Sequence, residues 1–189
     1  MYHISNDKRS RLSVQWISES LNQLLEQKNL AEITIKAVCE NAGIGRVTFY
    51  RHFDSLYDVL QKQCDDRFDQ LHRYLKDYYR KHPAQEPFLK PFLRFWYQDS
   101  NILEILIRHN KQDVIREAFM RMIQSFDESR IKPKPVEHRM ESYHQTVRSA
   151  VAIAVLSHWI ENGKNIPPDL LTQSILTTMK EPVELRFEN

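Results

Sequence analysis

Apolar residues recur along this chain at helical spacing, interrupted by a few glycine and proline stops. Val14, Ile17, Leu21, Leu24 and Leu25 predict a first helix over about 10–28 with one face in a small core. Thr34 is a good N-cap for a second helix, whose buried face carries Ile35, Val38 and Cys39 and which ends near Ala42. Gly43 fits the helix-ending position that needs positive φ. A third helix opens at Ile44 or Gly45 and ends near Phe53. Ser55 with Asp58 forms a capping-box variant that starts a long helix to about Arg80, roughly 38 Å, stopped by His82-Pro83.

Past Pro83 the spacing predicts helices over 88–98, 101–109 and 112 to about 128. Pro133 and Pro135 make 129–137 a linker, because neither ring fits a helix interior. A long helix follows over about 138–162, closed by Gly163, and Pro167-Pro168 opens a last helix through Leu170, Leu171, Ile175, Leu176 and Met179. The expected fold is all-α with about nine helices. A three-helix helix-turn-helix unit would occupy residues 1–54, and a larger helical domain residues 55–189.

Composition sharpens this in three places. Three glycines in 189 residues are few for an extended sheet, which supports the all-α class. A net charge of +2 is only weakly basic, so any surface for nucleic acid must be a local concentration of charge. Cys39 and Cys64 fit a reducing compartment and read as small apolar helix residues. The N-terminus shows no apolar signal core and no run of ~18 apolar residues occurs, so a cytoplasmic protein without a membrane span is expected.

Candidate chemistry concentrates between Gly43 and Phe53, which holds no acidic residue although Glu40 and Asp54 flank it. A helix entering the major groove needs small or hydrogen-bonding residues in its first turn, flanking donors for phosphates and an apolar back face. Val47 and Phe53 would anchor the back face. Arg46 can read guanine and the Thr48 methyl can meet thymine. Tyr50, Arg51 and His52 would donate to phosphates, while Phe49 is expected to pack.

The stretch Thr34-Ile35-Lys36, Ala42-Gly43-Ile44, Arg46, Thr48-Phe49-Tyr50 and His52-Phe53 resembles the TetR family of bacterial regulators. It looks closest to the Firmicute-type branch typified by the dihydroxyacetone-kinase regulator, with its Arg-x-Thr-Phe-Tyr-x-His-Phe string. The similarity extends to His158-Trp159-Ile160-Glu161-Asn162-Gly163 and Pro167-Pro168. The resemblance implies an N-terminal DNA-binding unit, with ligand binding and dimerisation in the remainder. By position it implies operator contacts from Thr34, Lys36, Thr48, Tyr50 and His52. Two departures stand out: Gly45 where the family often has serine, and Leu56 where it often has a phosphate-binding lysine. Arg9 and Arg11, placed before the first helix, would supply that charge instead.

The run Ala150–Leu156 is apolar all round and must be covered on more than one side. A homodimer interface is expected from Val147, Val151, Ala154, Val155 and His158, joined by Leu171, Ile175 and Met179. The central aromatics Phe88, Phe92, Phe95, Trp96, Tyr97, Phe119 and Phe126 either line a pocket for a small-molecule effector or form core; Phe92, Phe95, Trp96 and Phe119 are the pocket candidates. Arg94, Arg108, His109 and Arg116 would suit an anionic effector, or lie on solvated faces. No metal or cofactor is expected, since Glu141-x-x-His144 stands alone and His144 and His158 lie about 21 Å apart along one helix. The absence of a Gly-rich phosphate loop, a nucleophile elbow or a His-Glu metal helix argues against an enzyme. The expected function is a ligand-responsive, sequence-specific regulator, a repressor by preference, acting as a homodimer on a near-palindromic double-stranded operator. The alternative is a co-regulator on the same fold that works through protein contacts without DNA, motivated by Leu56 and the modest charge.

Overall fold

Local capping chemistry decides where most helices begin. The Asp7 side chain accepts from the backbone N–H of Ser10 at 2.8 Å, so the first helix starts at Lys8, earlier than the apolar spacing implies. Ser55 and Asp58 cap each other reciprocally: Ser55 Oγ accepts from the Asp58 N–H at 3.2 Å, and Asp58 Oδ2 from the Ser55 N–H at 3.0 Å. The computed structural model describes residues 2–4, 7–82, 86–125 and 141–180. These form α1 Lys8–Leu25, a short 3-10 turn Leu30–Glu32, α2 Ile35–Asn41, α3 Arg46–His52, α4 Leu56–Lys81, α5 Leu89–Gln98, α6 Asn101–Arg108, α7 Gln112–Ser125, α8 Glu141–Glu161 and α9 Pro168–Thr178. Among the described residues there is no strand, only an isolated bridge between Tyr2 and Phe53, and no helix is long and apolar enough to cross a membrane. Phe126 and the proline-bearing linker lie outside the described residues.

Three helices end in the same way. After α2, the Ile44 N–H bonds the Cys39 carbonyl and the Gly43 N–H that of Glu40, with Gly43 at φ +66°. After α8, Lys164 bonds Trp159 and Gly163 bonds Ile160, with Gly163 at φ +67°. After α6, Lys111 bonds Leu106 and Asn110 bonds Ile107, and here asparagine takes the left-handed position at φ 55°. The spacing identifies both glycine stops and misses the asparagine one. The first helix ends at Leu25 rather than Lys28, because the chain turns into the 3-10 segment, where Glu32 accepts from the Asn29 N–H at 3.0 Å.

One buried cluster runs from Ile17 through Trp96 to Ile160. Helix α4 is its spine, packing against α1 at one end and against α5, α6 and α7 along its length. Phe68 of α4 meets Trp96 edge-on at 5.1 Å and Phe119 at 5.9 Å. Polar contacts tie α4 to α7: Tyr57 donates to Asp113 at 3.1 Å, and Arg121 donates to Asp65 at 2.8 Å. Arg94 of α5 holds Asp169 of α9 with two parallel bonds, at 2.7 and 2.5 Å.

Gly43→Ala should cost about 1–2 kcal/mol in a denaturant melt, because alanine at positive φ is strained. Gly45→Ser should be neutral or stabilising by a few tenths of a kcal/mol, since Gly45 has φ −77°, open space around it and no side-chain cap to offer. For the α5–α9 clamp, the hydrogen bonds from Arg94 hold the Asp169 carboxyl below its usual range. A carboxyl depressed in the folded state stabilises above its unfolded pKa of ~3.9 and loses that contribution as pH falls through the lower folded value. Both side chains are partly solvated, so Asp169→Asn should cost only ~0.2–1 kcal/mol at neutral pH. Its melting-temperature gap to the parent protein should close on acidification below about pH 4.

Candidate nucleic-acid interface

Helix α3 has seven residues, too few to persist alone in water. It is held by its inner face. Phe49 and Phe53 are fully buried, and with His52 they make the i, i+3, i+4 set that points into the core. The preceding helix is fixed in turn: Ser20 Oγ of α1 donates to the Val38 carbonyl at 2.9 Å, and Asn41 Nδ2 donates to Ser20 Oγ at 3.1 Å. The turn through Gly43 then sets α3 across α2 in a defined direction.

The opposite face of α3 is open. Val47 is 76% exposed and Tyr50 54%, with Arg46 and Arg51 exposed beside them and Thr48 half-buried between the faces. Tyr50 stands edge-on to Phe49 at 5.6 Å, so its ring is braced while its hydroxyl faces outward. Across the turn, Thr34 caps α2 by accepting from the Ala37 N–H at 3.1 Å and remains exposed. Lys36 sits 3.7 Å from Glu40, both well solvated, an ion pair weak enough for an outside phosphate to displace. Lys8 and Arg9, in the first turn of α1, are exposed as well. The rim thus combines guanidinium and ammonium groups for phosphates with an arginine, a threonine and a valine methyl surface suited to base edges.

Residues 17–61, spanning the second half of α1 through the start of α4, match the family described as bacterial regulatory proteins, tetR family. This segment is a TetR-type helix-turn-helix. An uncharacterised HTH-type transcriptional regulator of Haemophilus influenzae is 20% identical over 74% of this chain and 71% of its own length. An HTH-type transcriptional regulator of Staphylococcus aureus strain USA300 is 24% identical over 63% of this chain and 67% of its own. The crystal structure of Lin0861 from Listeria innocua superposes with a TM-score of 0.65 over 94% of both chains at 14% identity, a likeness of fold. The chain is therefore similar to regulators over most of its length, and carries the TetR-type DNA-binding unit at its N-terminal end.

The N-terminal helices depart from the sequence expectation at His52, Val47, Arg9 and Arg11. His52 is 2% exposed and so is not placed to donate to a phosphate. Instead its carbonyl accepts from the His3 N–H at 2.8 Å, and its ring Nδ1 lies 3.5 Å from the His3 carbonyl oxygen, pinning the N-terminal arm. Val47 does not anchor α3; it lies about 200° around the helix from Phe49 and faces out. Arg9 and Arg11 lie inside α1 rather than before it. Leu56 is half-buried against the core, where a lysine would serve poorly. The arm itself was not foreseeable from periodicity. Tyr2 donates to Asp65 at 3.0 Å, and burial followed by the Asp65 charge pushes its phenol up to about 12. Asp65 thereby joins the arm to Arg121 of α7.

In the larger helical part, Ala152, Leu156, Trp159 and Ile160 bury one face of α8 within the chain. The other face is open: Val147 is 56% exposed and Ala154 and His158 are exposed, with Val151 and Val155 half-buried. On α9, Met179 is 57% exposed and Leu171 and Ile175 are half-buried. The side chains of Glu141 and His144 lie outside the described residues. The aromatic pocket candidates are core. Phe92, Trp96 and Phe119 are buried and interlocked, Phe92–Phe119 at 5.7 Å and Phe92–Trp96 at 6.5 Å, and Phe95 packs edge-on to Trp96 at 5.2 Å. They fill the space between α4, α5 and α7 instead of lining an opening.

The buried position of His52 carries its own test. His52→Ala should lower the melting temperature while leaving the salt dependence of DNA binding unchanged, because no phosphate contact is lost. A slope reduced by about one, seen by fluorescence anisotropy across a salt series, would restore His52 to the interface.

Proposed function

We propose that this TetR-type protein is a ligand-responsive, sequence-specific transcriptional regulator that acts as a homodimeric repressor on a near-palindromic operator. The observation that carries this is the division of α3 into two faces. Phe49, His52 and Phe53 are buried, while Arg46, Val47, Tyr50 and Arg51 are exposed, as is Lys36 on α2. Residues 1–54 would read DNA, and residues 55–189 would pair the subunits and receive the effector. The Arg46-x-Thr48-Phe49-Tyr50-x-His52-Phe53 string supports a place in the dihydroxyacetone-kinase-regulator-like branch.

Dimerisation is supported by the apolar surface that α8 and α9 leave uncovered, from Val147 and Val151 to Leu170 and Met179. Two such helices from each subunit would close a four-helix interface. A twofold pair would present two α3 helices to half-sites about 34 Å apart, one turn of DNA. The exposed basic rim favours this over a co-regulator that never touches DNA, since a purely protein-binding surface has no need of it.

Fluorescence anisotropy on DNA from upstream of the gene tests the proposal. Affinity should fall steeply between low and physiological salt, as several phosphates per half-site are neutralised. Arg46→Ala should blunt discrimination between operator and scrambled DNA by ~1–3 kcal/mol, while Tyr50→Phe should weaken both alike. Binding indifferent to salt, or a monomer by analytical ultracentrifugation at micromolar concentration, would count against it.

A further inference from the structure

A cleft of about 500 Å³ opens where the DNA-binding unit meets the rest of the chain, between α1, α4 and the start of α6. Arg11 and Asn22 line it from α1, Lys62 and Arg67 from α4, and Asn101 from α6. Its volume falls in the range of small-molecule sites, and charged and carboxamide side chains line it beside the apolar Ile4, Val14 and Ile102, whereas the central aromatics are packed solid.

The charge balance in the cleft is uneven. Lys62 is matched by Asp66 at 2.5 Å, and Arg67 by Asp99 at 3.2 Å, both carboxylates being half-exposed. Arg11 has no acceptor for its guanidinium among the described residues, so one positive charge is left over. Arg67 is the second cation, and it is held in place. Its guanidinium lies over the Phe95 ring at 4.4 Å and donates to Gln70 and to the Asp99 carbonyl, while its Nε is buried with no partner. A guanidinium held over an aromatic ring is preorganised for an oxyanion, which its two terminal nitrogens can bind side by side once Asp99 gives way. Around these cations stand the carboxamides of Asn22, Gln63, Gln70 and Asn101. Asn22 and Gln63 bond each other at 2.8 and 3.2 Å, which orients both groups and leaves each with a further donor and acceptor. Carboxamides that both donate and accept complement hydroxyl groups.

We propose that this cleft binds a small polyhydroxylated anion of the sugar-phosphate class, with Arg11 and Arg67 on the phosphate and the carboxamides on the hydroxyls. The half-exposed Asp99 is the group a phosphate would displace from Arg67. Such a ligand touches α1 and α6 at once, so its binding is linked to the angle at which the DNA-binding unit is carried. That consequence rests on the regulator proposed above; the binding itself does not.

Isothermal titration calorimetry on the full chain without DNA decides between the outcomes. Ribose 5-phosphate should bind saturably, about tenfold or more tighter than inorganic phosphate, with ribose alone silent. Arg11→Gln and Arg67→Lys should each weaken it about tenfold. Arg11 is exposed, and its guanidinium has no hydrogen bond or ion pair among the described residues, so that variant remains informative if Arg67→Lys disturbs the packing on Phe95. Ribose 5-phosphate binding no better than inorganic phosphate, or binding unmoved by Arg11→Gln, overturns the proposal. Operator binding measured in parallel separates the two ideas. DNA bound without ribose 5-phosphate binding sinks the cleft alone, and ligand bound without DNA binding sinks the regulator alone.

Discussion

The functional surface depends on two phenylalanines. A seven-residue helix has too few internal hydrogen bonds to offset the entropy of ordering it, so α3 exists because Phe49 and Phe53 are taken out of water. Their burial also fixes the rotation of the helix about its axis. With the inner face set, Arg46, Val47, Tyr50 and Arg51 have nowhere to go but outward. Orientation of the outward-facing groups is thus a by-product of core packing, and the same two rings that stabilise the unit aim it.

That packing does not stop at the edge of the TetR-type segment. The buried cluster is continuous from α1 to α8, with α4 as the shared element. Polar contacts reinforce the continuity: Asp65 takes the Tyr2 phenol from the N-terminal arm and the Arg121 guanidinium from α7. The arm in turn bonds the last residue of α3 through the His52 carbonyl. Contacts thus run without a break from α7 through α4 and the N-terminal arm to the end of α3. The cleft is lined in common by α1, α4 and the start of α6.

Much of this was legible because the signals are local. Thr34 and Ser55 as caps, Gly43 and Gly163 as left-handed stops, and the apolar faces of α1 and α4 depend on residues within a few positions of one another. Two of the failures share one cause. His52 looked like a surface cation because of its chemistry, yet its place three residues after Phe49 puts it on the inner face; helical phase outranked residue type. Val47 failed in the opposite sense, an apolar side chain on the outer face. The asparagine stop at Asn110 was missed because glycine is the usual occupant, although asparagine also tolerates that backbone.

By itself, the sequence determined the helical class, the order of the elements and the position of the helix-turn-helix, since caps, turns and periodicity act over one or two helical turns. Only the tertiary structure decided which side of α3 faces solvent at His52 and Val47, that Phe92, Trp96 and Phe119 close on each other, and that Arg11 of α1 shares a cleft with Arg67 of α4. Those facts depend on contacts between residues dozens of positions apart, and such contacts leave no period in the chain to be read.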